Sequence, residues 1–566
     1  MSTPPSGTPG PQVPAATSHT GAAGESVIKS TYDDRLTNTD LAPLKEQKWT
    51  WYNIFAFWMS DVHSVGGYVF AGSLFALGIA AWQVLVALVV GIVAVNILCN
   101  LVAKPSQMAG VPYPVTTRAS FGVKGANIPA IIRGSIAVVW YGIQTYLAST
   151  AFGLLALKFW PALEPYGENG SHSFLGLSLL GWAGFVLMWV LQALVFWNGM
   201  DTIRKFIDFC GPAVYVVMIA LAAYLIAKAG WSNVHFDLSE GSGISGTWPT
   251  ITMMISAFAL VVSYFSGPML NFGDFSRYGK TFGEVKKGNF WGLPVNFLFF
   301  SILVVCTVSA GVTVIGRDAD GKIVTDPVHI VDKIDNTTAA VLGVLTFAIA
   351  TIGINIVANF VSPAFDFSNV APTKISWRMG GMIAAIGSVI ITPWNLFNNA
   401  SAIHYTMDTL GAVIGPLFGI LIADFYLVKK QKIIVDDLFT MSPEGAYHYR
   451  GGWNPVAVIS VVLASIIPIC FVIWGTSYEA SFTWFMGAAA GLIFYYAGMK
   501  LATPYFLHGM HVPAATITTD MEVAADGTML PGSPTASPAA DAKAGAKADA
   551  QDATDSTSSP EAEPAS

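Results

Sequence analysis

Two stretches of the sequence decide the fold: WMSDVHSVGGY at residues 58–68 and SYFSGP at residues 263–268. Each stretch lies inside a long apolar segment but places glycine or Gly-Pro beside polar side chains. Glycine lowers helix stability and proline removes a backbone donor, so both stretches predict a broken helix. Inside a membrane, such breaks persist only where protein, water or a ligand satisfies the freed backbone groups. The predicted unwound positions are Gly66, Gly67, Gly267 and Pro268.

The chain as a whole is strongly apolar. It has 566 residues, of which 53% are hydrophobic and only 11% are charged. Soluble domains carry about 25% charged residues, and apolar runs of about 18 residues or more are typical of membrane spans. We therefore predict an all-α integral membrane protein with 12 transmembrane helices. The predicted spans lie near residues 52–78, 83–103, 128–158, 174–197, 207–228, 248–270, 290–315, 338–362, 378–394, 401–428, 455–475 and 481–500.

The basic residues between the spans predict the orientation. Lys and Arg concentrate in the even-numbered loops, and cytoplasmic loops are the basic ones. Both termini are therefore expected in the cytoplasm, with the protein in the cell (plasma or inner) membrane. We predict a disordered segment at 1–45, a transporter domain at 46–505 and a disordered tail at 506–566. Residues 1–30 are rich in Pro, Gly, Ser, Thr and Ala, and the tail from about residue 512 has almost no large apolar side chains to bury. The acidic tail supplies much of the net charge of −7, and the basic loops do not indicate nucleic-acid binding.

The two breaks fall in the first and sixth spans, which are equivalent positions in two halves of five helices. Matching breaks of this kind predict a secondary transporter built as a 5+5 inverted repeat, with two further helices at the C-terminus and a binding site near the membrane midplane. The alternative is that Gly and Pro are simply tolerated in these membrane helices.

The third span carries a candidate binding face in the stretch WYGIQ at residues 140–144. Residues four apart share a helix face, so the Trp140 ring and the Gln144 amide point the same way. A flat aromatic surface beside an amide suits a planar heterocycle that has an amide edge of its own. The alternative is a packing tryptophan beside a hydrogen bond between helices.

The eighth span and the second break offer further candidates. Asn355 and Asn359 form a second amide face that could contact the opposite edge of the same ligand, or could instead join helices. Phe265, with Tyr264 beside it, could close the stack against Trp140, although a lone Phe is more often a core residue. These side chains complete the predicted substrate-binding set.

Asp61 and His63 flank the first break and are the candidates for cation coupling. A buried Asp could hold a proton or a metal cation, and His titrates near neutral pH. Both side chains could equally cap freed backbone groups. The sequence contains no motif of a metalloprotease or a nucleotide-binding loop, and its four cysteines lack paired spacing. We expect no enzyme activity, catalytic residue, cofactor or bound metal.

The chain resembles the nucleobase–cation symporter-1 family, the permeases of hydantoin, allantoin, uracil and cytosine. The resemblance covers about residues 33–505. It rests on LTNTDL at 36–41, WYGIQ at 140–144, NFGDFSRYGK at 271–280, NIVANFVSPAFDFSNVAPTKISW at 355–377 and GPLFGILIADFYLV at 415–428.

The resemblance implies a leucine-transporter-type fold and a ligand stacked between aromatic residues of the third and sixth spans, here Trp140 and Phe265. It implies that amides of the third and eighth spans bind the ligand edges, here Gln144 and Asn359. The contact from the first span falls on Ser64, where relatives often carry an amide. Phe265 stands where hydantoin- and allantoin-type relatives often have Trp, so weaker stacking or a smaller ligand is expected.

A second departure concerns the coupling cation. In sodium-coupled relatives, two hydroxyl residues before the first asparagine of the eighth span complete the sodium site, and here these positions are Gly353 and Ile354. Neither has a side-chain oxygen, which hard cations require. We therefore predict symport of a uracil-, allantoin-, hydantoin- or cytosine-like heterocycle with protons rather than sodium, although sodium remains possible. The rivals are an amino-acid transporter of the same fold and, from another class, a channel or a non-transporting sensor.

Overall fold

The computed structural model describes residues 16–62, 77–167, 172–236, 244–317, 337–396 and 400–502, together with Gly67, Phe70, Leu74, Ile323, Val324 and Ile330. The predicted site residues His63, Ser64 and Gly66 lie outside the described residues, as does the predicted C-terminal tail at 506–566.

Long helices form the body of the protein, and one of them overlaps each predicted span. They are α1 (Trp51–Val62), α2 (Ala81–Ala109), α3 (Asn127–Phe159), α4 (Leu179–Trp197), α5 (Met200–Ala229), α6 (Thr247–Tyr264), α7 (Phe282–Ile315), α8 (337–370), α9 (Trp377–Ile390), α10 (Ala400–Ile422), α11 (Pro455–Trp474) and α12 (Thr483–Ala502). Among the described residues, 8 helices are long and apolar enough to cross a membrane, and α9 is a shorter apolar helix. Many of their outward apolar side chains are exposed, as a lipid-facing surface requires.

Short elements connect these helices. They are the strands β1 (Ala16–Gly21), β2 (Gly24–Lys29), β3 (Ser173–Phe174) and β4 (Leu177–Ser178), the short α-helices Tyr113–Thr116, Arg118–Phe121, Ser266–Leu270, Gly273–Ser276 and Ser477–Ala480, and the 3-10 helices Pro161–Tyr166, Trp231–Asn233, Pro393–Asn395 and Asp436–Phe439. Strand β1 pairs with β2, and β3 with β4, both antiparallel.

Among the described residues, three helical segments contain a wider π-helical turn, which inserts an extra residue into the helix and often marks a functional site. These turns are Trp291–Val295 within α7, Val357–Val361 within α8 and Ala423–Val428 at the end of α10. The turn in α8 contains Asn359, one of the predicted binding residues.

The helices pack in a way that brings the third and eighth spans together. Helix α3 packs along α8, α2 packs along α6, and α5 packs against both α1 and α7. Helix α10 packs on α12 and α11 at the C-terminal end of the sequence. The amide faces of α3 and α8 therefore lie across a shared interface.

The predicted break in the sixth span is a short interruption at one residue. Helix α6 ends at Tyr264, and the helix Ser266–Leu270 begins after Phe265. Pro268 has no N–H to donate to the carbonyl of Tyr264, which weakens the helix at this point. In the first span, α1 covers Trp51–Val62, and Gly67, the described part of the predicted break, has helical backbone geometry. The predicted unwound positions Gly267 and Pro268 likewise lie within the helix Ser266–Leu270.

The N-terminal segment differs from the predicted disorder of residues 1–45. From residue 16 onward it is ordered: β1 and β2 form a hairpin, and the Tyr32 ring stacks on Phe439 with centroids 4.6 Å apart. The buried Arg277 side chain donates to the carbonyls of Asp40 and Ala42, both at 2.9 Å. These apolar contacts, and the two carbonyls that accept hydrogen bonds from the buried Arg277 guanidinium, order a segment whose average composition is polar.

Candidate functional site

One cavity lies between α1, α3, α8 and the interruption after α6. It brings together most of the predicted binding, coupling and hinge residues that the structure describes. Its lining residues are Asp61, Arg133, Trp140, Gln144, Tyr264, Gly267, Pro268, Ile354, Ala358 and Asn359. These residues come together because α3 packs along α8 and the interrupted sixth span lies beside both helices.

Two aromatic rings from different helices line this cavity and contact each other edge to face. Trp140 of α3 and Tyr264 of α6 have ring centroids 6.0 Å apart, with their planes at 82°. Tyr264 is itself stacked on Phe70, at 4.4 Å and 14°. Perpendicular rings at this spacing do not yet form two parallel faces, so a ring that entered between them would have to turn one of them.

Phe265 does not line the cavity. Its side chain is 1% exposed and packs against Trp58 and Phe297, with ring centroids at 6.4 and 5.5 Å. Neighbouring residues on a helix point about 100° apart, so only one of the two aromatic residues at this break can face Trp140. In the structure that residue is Tyr264.

The Gln144 side chain lies in the wall of the cavity. The residue is 2% exposed, and its Oε1 has no hydrogen-bond partner among the residues that the structure describes. A buried amide oxygen left unpaired costs about 1–3 kcal/mol, which a ligand donor would recover. The Gln144 oxygen can therefore accept a hydrogen bond from a ligand in the cavity.

The two asparagines of α8 are in contact, but they have different surroundings. Asn355 is fully buried and does not line the cavity. The two N–H groups of its Nδ2 point to three acceptors, the Tyr141 carbonyl, Thr145 Oγ1 and Gln192 Oε1, at 3.0, 3.0 and 2.7 Å. Asn359 does line the cavity, and its Nδ2 donates to Asn355 Oδ1 at 3.1 Å. Asn355 therefore joins helices, whereas Asn359 reaches the cavity.

Asp61 is the predicted coupling residue that the structure describes. Its side chain lines the cavity, the residue is 3% exposed, and Oδ1 has no hydrogen-bond partner within the described residues. An ionised carboxylate in such a position is costly, so the site favours either a bound proton or a bound cation.

Arg133 is a cavity residue that the sequence reasoning missed. It is 1% exposed, and its Nη2 donates to Asn271 Oδ1 at 3.1 Å and to the Ala358 carbonyl at 3.3 Å. It thereby connects the segment after the sixth-span break to α8. The available signal was a charged residue inside a predicted span, seven positions before Trp140 and hence on the same helix face.

The sequence pattern of the permeases for cytosine/purines, uracil, thiamine and allantoin matches residues 42–517 of the chain. The allantoin permease of Bacillus subtilis (strain 168) is 33% identical over 492 residues, which cover 83% of this chain and 94% of that permease. The purine-uracil permease of Arabidopsis thaliana is 30% identical, over 78% of this chain and 72% of that permease.

Solved structures share the fold. A nucleobase-cation-symport-1 family transporter, in a closed conformation with bromovinylhydantoin bound, has a TM-score of 0.67 at 20% identity and covers 83% of this chain and 96% of its own. A Na⁺-coupled sialic acid symporter in a substrate-bound outward-open state has a TM-score of 0.55 at 12% identity, over 83% of this chain and 92% of its own.

Proposed function

The chain belongs to the nucleobase–cation symporter-1 family of permeases, and on this premise we propose that it imports a uracil-, allantoin-, hydantoin- or cytosine-like heterocycle by cation symport. The observation that supports this proposal is the grouping of two aromatic rings and two amides around one cavity. We further propose twelve spans in the cell membrane, formed by residues 46–505, with both termini in the cytoplasm.

In this proposal Trp140 and Tyr264 hold the faces of the ring, and Gln144 and Asn359 bind its edges. Phe265 supports the position of Tyr264 from behind, through a ring contact at 5.3 Å. Ser64 completes the contact from the first span. Gly66 and Gly67 of the first span, and the interruption at Phe265 that Gly267 and Pro268 follow, give the movable ends of the two helices. Different ligand contacts in the outward and inward states supply the coupling to transport.

The first experiment identifies the ligand. The purified full-length protein is screened for thermal stabilisation by uracil, cytosine, hydantoin, allantoin and a set of amino acids, and the best ligands are tested for saturable uptake into proteoliposomes. We expect stabilisation and competition by at least one of the heterocycles. Stabilisation by an amino acid alone would overturn the proposal and favour the rival transporter class.

We propose that the driving ion is the proton. Gly353 faces the first span at the place where a hydroxyl would be needed: a Cβ built on it would lie 3.9 Å from the Ser60 Cβ and 3.8 Å from the Phe206 ring. The Ser60 hydroxyl is directed at the carbonyl of Ile207, 3.5 Å away. This arrangement offers few oxygen ligands to a hard cation. The carboxyl of Asp61, in contrast, can bind a proton without any further ligand.

Imposed gradients test the driving ion in reconstituted vesicles. We expect a proton gradient alone to drive accumulation and a sodium gradient alone to leave it near the equilibrium level. Strong accumulation with sodium alone would contradict proton coupling while leaving the heterocycle assignment intact.

The variant Asp61→Asn tests the role of this carboxyl. We expect it to retain ligand exchange between the two sides of the membrane but to lose proton-driven accumulation, because the amide cannot exchange a proton. The variant Asp201→Asn, at the exposed start of α5, is the control. Unchanged accumulation in Asp61→Asn would remove Asp61 from the coupling mechanism.

A further inference from the structure

A backbone carbonyl in α3 fixes the orientation of the amides in α8. The Tyr141 carbonyl lies 3.0 Å from Asn355 Nδ2 and also accepts the Thr145 hydroxyl at 2.7 Å. A peptide carbonyl can only accept a hydrogen bond, so the Asn355 atom that faces it must be the nitrogen. The opposite orientation would place two acceptor oxygens 3.0 Å apart in a buried interface, which is unfavourable because neither of them can donate.

The surrounding side chains agree with this orientation. The Thr145 hydroxyl uses its proton on Tyr141, so its oxygen is an acceptor for Asn355 at 3.0 Å. Gln192 presents Oε1 to Asn355 at 2.7 Å while its Nε2 donates to Thr145 at 3.3 Å. Every partner on this side of Asn355 therefore accepts, and Asn355 Oδ1 is directed along α8 toward Asn359.

The orientation of Asn355 in turn sets that of Asn359. Because Asn355 presents an oxygen, the Asn359 atom that contacts it at 3.1 Å must be Nδ2. The Asn359 oxygen is then the polar atom left for the cavity, and it has no hydrogen-bond partner among the described residues. An oxygen of this kind can be satisfied only by a donor.

We propose that Asn355 is a positioning residue that makes α8 an acceptor surface, so that the transported ring must present an N–H group to Asn359. This inference rests on the proposed function, and it narrows the substrate class to rings with a free N–H on the edge that faces α8. A ring whose corresponding edge carries only an alkylated nitrogen or a ring oxygen would leave the Asn359 oxygen unpaired.

Competition by matched ligands tests the proposal on the wild-type protein. The probes are uracil with 1-methyluracil and 3-methyluracil, and hydantoin with 1-methylhydantoin, 3-methylhydantoin and oxazolidine-2,4-dione, in which oxygen replaces one ring N–H without added bulk. In the series that binds, we expect at least one analogue that lacks a single N–H to be weaker by roughly 10- to 100-fold.

The variant Asn355→Ala separates hydrogen-bond polarity from steric exclusion. It removes the oxygen that holds Asn359 Nδ2, so Asn359 can turn and donate, while the space beside the ligand edge is unchanged. We expect the affinity ratio of parent ring to weakened analogue to fall at least fivefold. The control Thr145→Val perturbs the same buried cluster but keeps the Tyr141 carbonyl, so its melting temperature should fall while its affinity ratio stays within twofold of wild type.

Each outcome has a distinct meaning. Equal competition by all the analogues in wild type would overturn the acceptor surface, even if Asn355→Ala does not fold. A folded Asn355→Ala with the wild-type ratio would overturn the positioning role. Failure of every parent heterocycle to bind would overturn the proposed function and this inference with it.

Discussion

Helices α3 and α8 face the same cavity, but their amides are prepared for a ligand in opposite ways. Asn359 of α8 is held by a chain of hydrogen bonds that begins at the backbone of α3. Gln144 of α3 has no such support, and its buried oxygen lacks a partner among the described residues. The α8 surface is therefore preorganised as an acceptor, whereas the Gln144 amide can turn to donate or accept.

This difference shows how one cavity can be both selective and adaptable. A preorganised group loses little conformational entropy when a ligand binds and penalises a ligand of the wrong polarity. A free glutamine pays rotamer entropy on ordering, but it tolerates ligands that differ at their second edge. We expect α8 to decide which rings bind, and α3 to accommodate variation among them.

The largest effect should follow removal of the preorganised amide. Asn359→Ala leaves the ligand N–H unpaired, which costs about 1–3 kcal/mol and corresponds to roughly 5- to 150-fold in Kd. Ligand affinity is measured by titration of the purified variants. Asn198→Ala, at an exposed asparagine after α4, is the control and should bind as wild type does. If Asn359→Ala bound the ligand as tightly as wild type, α8 would not be the helix that selects the ligand, and the contrast with α3 would be wrong.

An effect of similar size should separate the two aromatic residues at the sixth-span break. Tyr264→Ala removes a ring that lines the cavity, and loss of stacking on a heterocycle costs about 1–3 kcal/mol. Phe265→Leu changes a ring buried behind Tyr264, so we expect at most about a threefold change in Kd with a lower melting temperature. A greater loss of affinity in Phe265→Leu would restore Phe265 as the stacking residue.

The smallest effect should follow Gln144→Ala. The lost hydrogen bond is offset by the rotamer entropy that Gln144 no longer gives up, so we expect roughly a two- to tenfold weaker Kd. Ligands that differ only at the edge that faces Gln144 should also bind this variant with more similar affinities than they bind the wild-type protein. Titration with the same ligand series checks both effects, and a loss greater than that of Asn359→Ala would reverse the order of the two helices.

Much of the site could be predicted from the sequence because its signals are local. Trp140 and Gln144 lie four residues apart on one helix, and the glycine and proline of the sixth-span break follow each other directly. Asp61 stood out as a carboxyl group within an apolar span. These features depend on helix periodicity and composition alone.

Other features depended on partners that are remote along the chain. Asn355 and Asn359 look equivalent in the sequence, but only the contacts of Asn355 with Gln192 and Tyr141 commit it to helix packing. Arg133 is bonded to Asn271 and to the backbone of Ala358, neither of which can be assigned to it from spacing. Likewise, residues 16–45 are ordered through docking onto loops far along the chain.

The sequence by itself determined a membrane protein of apolar helices with an interrupted sixth span, and its motifs indicated the permease family. The tertiary structure decided that Tyr264 rather than Phe265 faces Trp140, and that Asn359 rather than Asn355 reaches the cavity. The physical reason is that a helix turns about 100° per residue, and an interruption or a π-helical turn shifts that rotation. After an interruption or a π-helical turn, only the contacts with neighbouring helices show which side chain faces the cavity.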